Sequence, residues 1–301
     1  MSILFKLNKN LSRYLFNSPN TFTFSLFNYL YNKFIINLDG TDDEIKFFHK
    51  NGYLKPQINF KEDTLQLKKL LDTNHKIDKQ NSFEYVLNED IINVIKNILN
   101  SKKFKIYLDK LERYFNSKIC LVEAKIARNF PIEKTTEHNK NIYSNNYHVD
   151  YYIMNFFKIF INLHDVDETQ GPMNLYSKKD TSKFIKFNNY KNRFSYDLNN
   201  EKEIGLVRNT GLTGDILICS TPQCLHRASS PNNGKFRDML FLSFAFTNEK
   251  QISSNALYKF EKDYFNDIWN CTSTLSKKLC KPKNFRKQIS IFIKFIQNKI
   301  N

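Results

Sequence analysis

The clearest signal of the fold is the segment from Gly214 to Phe244, which reads GDILICSTPQCLHRASSPNNGKFRDMLFLSF. It starts with a short apolar run, passes through a polar stretch containing His226, and reaches a turn signal at Asn233-Gly234. A second apolar run then begins at Phe236-Arg237. Apolar runs of this length between turn signals are typical of strands, so the segment predicts two antiparallel strands joined as a hairpin. Such a hairpin would bring His226 and Arg237 into one cavity.

The same strand pattern recurs upstream of this segment. Short β-type runs separated by polar turns cover residues 120–130, 149–163, 171–177 and 204–209. Many short strands with few helices between them favour a sandwich or jelly roll over a parallel sheet. We therefore predict an α+β protein whose core, over about residues 119–247, is mainly β.

Helical patterns flank the predicted β core. Capping residues and apolar periodicity predict helices at 41–52, 65–71, 90–100 and 103–116, and again within 251–301. The predicted organisation is an N-terminal extension at 1–40, one domain at 41–250, and a basic helical segment at 251–301 packed on that domain.

Composition sets only broad limits on function. The net charge of +16 invites a nucleic-acid partner, but Lys, Asn, Ile, Phe and Tyr are abundant together and no nucleic-acid motif accompanies the charge. Five cysteines without CxxC spacing favour a reduced, intracellular protein. The longest apolar stretch, Tyr151 to Leu163, is interrupted by Lys158 and is too short to span a bilayer. We expect a cytoplasmic protein.

Three residues suggest a metal site. His148 and Asp150 are two positions apart, so in extended chain both side chains project to one face. With His226 they form a set of two imidazoles and one carboxylate, which holds iron and leaves three coordination positions open. Arg237 adds a permanently charged, planar fork suited to a carboxylate.

These motifs resemble the phytanoyl-CoA dioxygenase-like family of Fe(II)/2-oxoglutarate-dependent oxygenases, from about Asp43 to Phe246. His148-Val149-Asp150 is similar to the family's HxD motif, and Arg237 follows the distal His226 at the family's spacing. The resemblance implies a double-stranded β-helix (a cupin-like jelly roll) with helices outside it. It also implies Fe(II), 2-oxoglutarate and O2 as cofactors, and release of succinate and CO2 as a substrate is hydroxylated.

Two departures from the family pattern bear on the co-substrate and the substrate. Ala228 stands where the family often has a hydroxyl residue, so Ser229 or a water would have to assist Arg237. After Gly171-Pro172 the chain lacks the family's Pro-Gly-Ser-His run, which leaves the substrate open. On the strand before the HxD motif, Lys125 and Asn129 share one face and are candidate co-substrate contacts; exposed surface residues are the alternative.

Other residues have simpler interpretations. We predict that His164, in an acidic turn, is solvated, and that Cys224 is a small buried hydrophobic residue, although Cys224 could instead approach the iron. The tyrosines around the HxD motif could line a substrate pocket or pack in the core. The basic amphipathic stretch 277–299 could bind an anionic membrane, but a helix docked on the domain is favoured.

The predicted substrate is a small or carrier-linked metabolite, such as a lipid or glycan precursor. The same chemistry on a nucleic acid or protein remains an alternative, as does a non-catalytic metal-binding β-helix protein.

Overall fold

The computed structural model describes residues 29, 36–73, 76–78, 82–116, 118–131, 146–150, 156–187, 190 and 205–247. The helices are α1 (Asp43–Asn51), α2 (Lys61–Asp72), α3 (Glu89–Asn100), α4 (Lys102–Tyr114) and α5 (Lys178–Phe187). The strands are β1 (Tyr53–Leu54), β2 (Lys76–Asp78), β3 (Ser82–Tyr85), β4 (Lys118–Asn129), β5 (Phe156–Asn162), β6 (Met173–Tyr176), β7 (Leu206–Arg208), β8 (Ile216–Cys219), β9 (His226–Ala228) and β10 (Arg237–Thr247). In the part of the chain that these ranges cover, no helix is long and apolar enough to cross a membrane.

Local capping explains where the N-terminal helices begin and end. The Asp42 side chain accepts a hydrogen bond from the backbone N–H of Ile45 and so caps α1, which ends at Gly52 in the left-handed conformation. Asn88 and Ser101 cap α3 and α4 in the same way. These helices therefore lie where the sequence predicts them.

The strands form two antiparallel sheets. The larger has seven strands in the order β1-β8-β5-β10-β4-β3-β2, and the smaller has three in the order β7-β6-β9. Helices and antiparallel sheets confirm a mixed α+β architecture with a β core. The two β strands between residues 76 and 85 were not predicted; they extend the larger sheet beyond the expected start of the core.

Apolar side chains occupy both faces of the larger sheet. One face packs against the N-terminal helices, where Ile126, Ile161 and Leu240 join the core that contains α1 to α4. The opposite face packs against the smaller sheet, through contacts among Phe160, Met239 and Leu175. The space between the two sheets is called the intersheet interior below.

The predicted hairpin is wrong in its pairing. Strand β8 pairs with β1 and β5, whereas β10 lies between β5 and β4. Between β8 and β10 the chain crosses to the smaller sheet and forms β9, which starts at His226. Alternation of apolar residues specifies which side of a strand is buried but not which strand lies beside it, so the crossover was not visible in the sequence.

The predicted strand at 149–163 is also shorter in the structure. Strand β5 covers only Phe156–Asn162, and residues 146–150 form a loop with one isolated β-bridge, from His148 to His226. The intervening residues 151–155 lie outside the described part of the chain. The same is true of most of the predicted extension at 1–40 and of the predicted helices within 251–301, so the proposed domain limits stay a prediction.

Candidate metal centre

Backbone hydrogen bonds bring the HxD loop onto strand β9. The N–H of His148 donates to the carbonyl of His226 over 3.0 Å, and the N–H of His226 donates back over 2.9 Å. The N–H of Asp150 donates to the carbonyl of Thr221 over 3.0 Å. This pairing aligns segments that are far apart in the sequence, so the main chain itself sets the relative position of the two imidazoles.

Aromatic packing holds the other side of this loop. Tyr147 and Val149 lie in a buried cluster with Tyr176, Phe184 and Leu225. Tyr147 is fully buried, and its ring centroid lies 5.3 Å from that of Tyr176. Tyr147 is therefore a packing residue, while Tyr151 and Tyr152 lie outside the described residues.

The three predicted ligands converge in the structure. Their ligand atoms all lie within 4.8 Å of one another, and all three side chains are buried. The Nε2 atom of His148 lies 4.0 Å from Oδ1 of Asp150, and Nε2 of His226 lies 3.9 Å from Oδ2 of the same carboxylate. Among the described residues this is the one group of His, Cys, Asp and Glu close enough to hold a metal ion.

Both imidazoles are oriented by main-chain carbonyls. Nδ1 of His148 lies 2.7 Å from the carbonyl oxygen of Asn146, and Nδ1 of His226 lies 2.9 Å from that of Cys224. A carbonyl can only accept, so each Nδ1 carries the proton and each Nε2 presents a lone pair. This is the tautomer that a metal ion needs from both rings.

A lysine that was not among the predicted site residues also reaches the site. Nζ of Lys158, on β5, lies 2.8 Å from Oδ2 of Asp150. Burial opposes ionisation of Asp150, but the positive charge of Lys158 and its hydrogen bond to the carboxylate outweigh burial and hold the pKa of Asp150 well below its usual range. The carboxylate is therefore ionised. The signal in the sequence was only that Lys158 interrupts the largely apolar run FKIFIN.

Arg237 lies in the intersheet interior and is only 2% exposed. Its Nε and Nη1 atoms have no hydrogen-bond partner among the described residues. Burial lowers the pKa of Arg237 to about 10, which still leaves the guanidinium charged at neutral pH. Two residues further along β10, Met239 packs with Leu175, which pairs with His226 across the smaller sheet. The arginine thus shares its interior with the predicted metal ligands.

The structure separates the three weaker candidates. Asn129 lies directly opposite Arg237 in the ladder between β4 and β10, so the two side chains share a face. Lys125 has the same facing, but its Nζ is 2.5 Å from a carboxylate oxygen of Glu84. Ser229 follows β9 and is half-buried, with its N–H donating to the carbonyl of Pro172 over 3.3 Å.

Two of the simpler interpretations have clear outcomes. Cys224 is fully buried among apolar residues of the intersheet interior, as predicted. The prediction that His164 is solvated is wrong. Its Nε2 accepts a hydrogen bond from the backbone N–H of Asp238 over 2.9 Å, and its Nδ1 lies 2.7 Å from the carbonyl of Asp165. His164 therefore has a structural role beside β10.

The missing Pro-Gly-Ser-His run is replaced by a helix start. Ser177 accepts a hydrogen bond from the N–H of Asp180 and donates its hydroxyl to the Asp180 carboxylate over 2.7 Å. This reciprocal pair caps α5, a helix that was not predicted. The signal was the Ser-x-x-Asp spacing at Ser177-Lys178-Lys179-Asp180.

No protein-family model and no curated protein matches the chain. Several solved structures are similar to it. HygX from Streptomyces hygroscopicus, with nickel and 2-oxoglutarate bound, matches at 12% identity and a TM-score of 0.49, over 70% of this chain and 90% of that one. A 2OG-Fe(II) oxygenase family oxidoreductase from Burkholderia pseudomallei matches at 10% identity and a TM-score of 0.45, over 70% and 92%. AviO1 from Streptomyces viridochromogenes Tue57 matches at 11% and 0.40, over 67% and 93%.

Proposed function

We propose that the chain is an Fe(II)- and 2-oxoglutarate-dependent dioxygenase of the phytanoyl-CoA dioxygenase-like type, built on a double-stranded β-helix. The observation that carries this proposal is the buried set of His148, Asp150 and His226, with ligand atoms within 4.8 Å of one another. Two imidazoles and one carboxylate are the ligand set that leaves adjacent positions on iron open to a bidentate co-substrate and oxygen. We infer that this is the site of catalysis.

Arg237 is the observation that favours 2-oxoglutarate as the co-substrate. A buried guanidinium with two nitrogens lacking a partner among the described residues is costly unless an anion binds it. A dicarboxylate held at the metal by one end can present its other carboxylate to this fork. The protein therefore carries a charge in the intersheet interior that 2-oxoglutarate would neutralise.

The neighbouring residues have different parts in this proposal. Asn129 would contact the co-substrate beside Arg237, because the two residues are directly paired across β4 and β10. Lys125 is a weaker candidate, since Glu84 already holds its ammonium. Ser229 would act through a water, because Ala228 occupies the position nearer to the distal ligand.

The protein's contribution to the reaction would be to orient the ligands and the co-substrate and to exclude water. Bound Fe(II) and 2-oxoglutarate supply oxygen activation coupled to decarboxylation, with succinate and CO2 as products. The Asn146 and Cys224 carbonyls would keep both Nε2 lone pairs available to the ion, and burial of all three ligands would keep water away from the reaction. Arg237 would fix the orientation of the co-substrate and so select the open face for the substrate.

We propose hydroxylation of a small or carrier-linked metabolite, with a lipid or glycan precursor among the candidates. The net charge of +16 keeps a nucleic-acid or protein substrate as the alternative. Binding to oligonucleotides that weakens steeply with salt would favour that alternative.

Anaerobic titration of the purified protein with Fe(II) and then 2-oxoglutarate tests the proposal. We expect a saturable visible charge-transfer band that is lost in His226→Ala and needs much more 2-oxoglutarate in Arg237→Ala. Arg113→Ala is the matched control, because it removes the same charge from an exposed position on α4 and should leave the band unchanged. A well-folded protein without a band would refute the proposal and favour a non-catalytic binding protein.

A further inference from the structure

Lys158 occupies an unusual position for a lysine. Its neighbours along β5, Phe157 and Ile159, are buried in the core against the helices, so Lys158 projects into the intersheet interior. The side chain is only 21% exposed. Directly opposite it stand Cys219 on β8 and Ser243 on β10, both buried and both small. These two short side chains leave room for the long lysine stem between the strands.

The lysine and a metal ion would share one carboxylate. Lys158 lies 2.8 Å from Oδ2 of Asp150, and Oδ2 also faces Nε2 of His226 at 3.9 Å. An ion bound by the three ligands would contact this same carboxylate. The ammonium and the ion would then be close neighbours in a buried, low-dielectric site, where like charges repel strongly.

The charge balance of the site also disfavours a bound cation when Lys158 is present. Two imidazoles with lone pairs at Nε2 are neutral, so Asp150 and Lys158 together leave the four side chains with no net charge. A divalent ion then enters a neutral site rather than an anionic one. Without the lysine, the same ligands would offer the ion a full negative charge, as carboxylate-rich metal sites do.

We propose that Lys158 is an internal competitor for the metal ion: its ammonium neutralises Asp150 and thereby weakens metal binding at the site. The inference rests on the metal site of the proposed function but not on its co-substrate or its reaction. Lys158 acts through Asp150, so it sets affinity rather than taking part in chemistry. A buried carboxylate remains paired when no ion is bound, and a bound ion can be exchanged.

Metal affinity measured without co-substrate tests this inference. Co(II) would be titrated anaerobically into metal-free wild type and into Lys158→Met, with visible absorption and calorimetry as readouts. We expect Lys158→Met to bind Co(II) at least tenfold more tightly, and Lys158→Arg, which keeps the charge, to stay near the wild-type affinity. Lys110→Met is the matched control: it removes an ion-paired lysine from α4 and should leave the affinity unchanged.

The possible outcomes separate this inference from the proposed function. Unchanged or weaker Co(II) binding in Lys158→Met would overturn the inference, because the lysine would then be a bystander or an anchor for Asp150. If Lys158→Met folds poorly without metal, Lys158→Gln keeps a hydrogen-bond donor without the charge and should also bind more tightly. Wild type that binds no divalent ion at all would instead refute the proposed function.

Discussion

Replacing Arg237 by methionine should stabilise the protein in the absence of 2-oxoglutarate while removing its response to that ligand. The guanidinium is 2% exposed, and its Nε and Nη1 atoms lack a hydrogen-bond partner among the described residues. Methionine has a similar length and no charge, so it fills the space without the cost of burying an unpaired cation. A residue kept for binding would thus be a burden on folding.

The magnitude follows from the pKa of Arg237. Burial lowers it from its ordinary value to about 10. At about 1.4 kcal/mol per pKa unit, the charged form is disfavoured in the folded state by roughly 3 kcal/mol. Imperfect packing of the new side chain costs about 1 kcal/mol. The variant should therefore gain about 2 kcal/mol in free energy of unfolding at neutral pH, where the wild-type guanidinium is charged.

Urea unfolding of metal-loaded, anaerobic protein with and without 2-oxoglutarate measures both effects. 2-Oxoglutarate at a hundred times its wild-type Kd should add about 2.7 kcal/mol to the unfolding free energy of the wild type and nothing to that of Arg237→Met. The order of stability of the two proteins then reverses. A loss of more than about 1 kcal/mol in the ligand-free variant, or an undiminished response to 2-oxoglutarate, would refute the reasoning.

Arg128, on the neighbouring strand β4, provides a control in which replacement by methionine should lower stability instead of raising it. Its Nε and Nη2 atoms donate to the two carboxylate oxygens of Asp238 over 2.7 and 2.6 Å, and Asp238 is buried. Arg128→Met leaves that carboxylate without its ion pair and should destabilise the protein by about 3 kcal/mol. This contrast would show that the sign of the stability change depends on whether the arginine is ion-paired, and not on the loss of an arginine as such.

Three further predictions concern single residues. Gly171→Ala should lower the free energy of unfolding by about 2 kcal/mol or more, because a Cβ there would lie 2.5 Å from backbone atoms of Ser230 and Pro231 and the φ is +64°. Urea denaturation measures this loss, and a wild-type stability would contradict the prediction. Burial lowers the pKa of His164 below its ordinary 6.5, so the folded state binds fewer protons than the unfolded state and stability falls as the pH drops below that value. This fall should be smaller in His164→Asn, and the same dependence of stability on pH in both proteins would contradict the prediction. Co(II) at a hundred times its Kd should raise the wild-type unfolding free energy by about 2.7 kcal/mol and leave His148→Ala unchanged in thermal melts, whereas a shift in that variant would exclude His148 as a ligand.

The three ligand side chains could be named from the sequence, although their convergence depends on backbone pairing between segments far apart in the chain. The spacing of His148 and Asp150 suggested the site, and His226, Arg237 and the family resemblance supported it. The structure brings His148, Asp150 and His226 together and leaves Arg237 buried with two nitrogens lacking a partner among the described residues. What these residues share is chemistry that depends on the residue type itself, so each could be named before its neighbours were known.

The features that were missed depend on partners distant in the sequence. Strand β9 has only three residues, too few for a periodic signal, and its pairing with β6 is set by the second sheet. Helix α5 buries Thr181 and Phe184 in an otherwise lysine-rich run, so its apolar pattern is weak. In the sequence, Lys158 only interrupts an apolar stretch, because nothing there links it to Asp150.

The reciprocal hydrogen bonds between His148 and His226 have a consequence for which metal the protein carries. They fix the two rings through the main chain, so the site is assembled by folding and needs no ion to shape it. A preformed site with an open side cannot reject an ion by geometry, and affinity then follows the general order that places Fe(II) below Co(II), Ni(II) and Cu(II). Iron loading would therefore be decided by which ions surround the folded protein, and Ni(II) should compete with Fe(II) for the site.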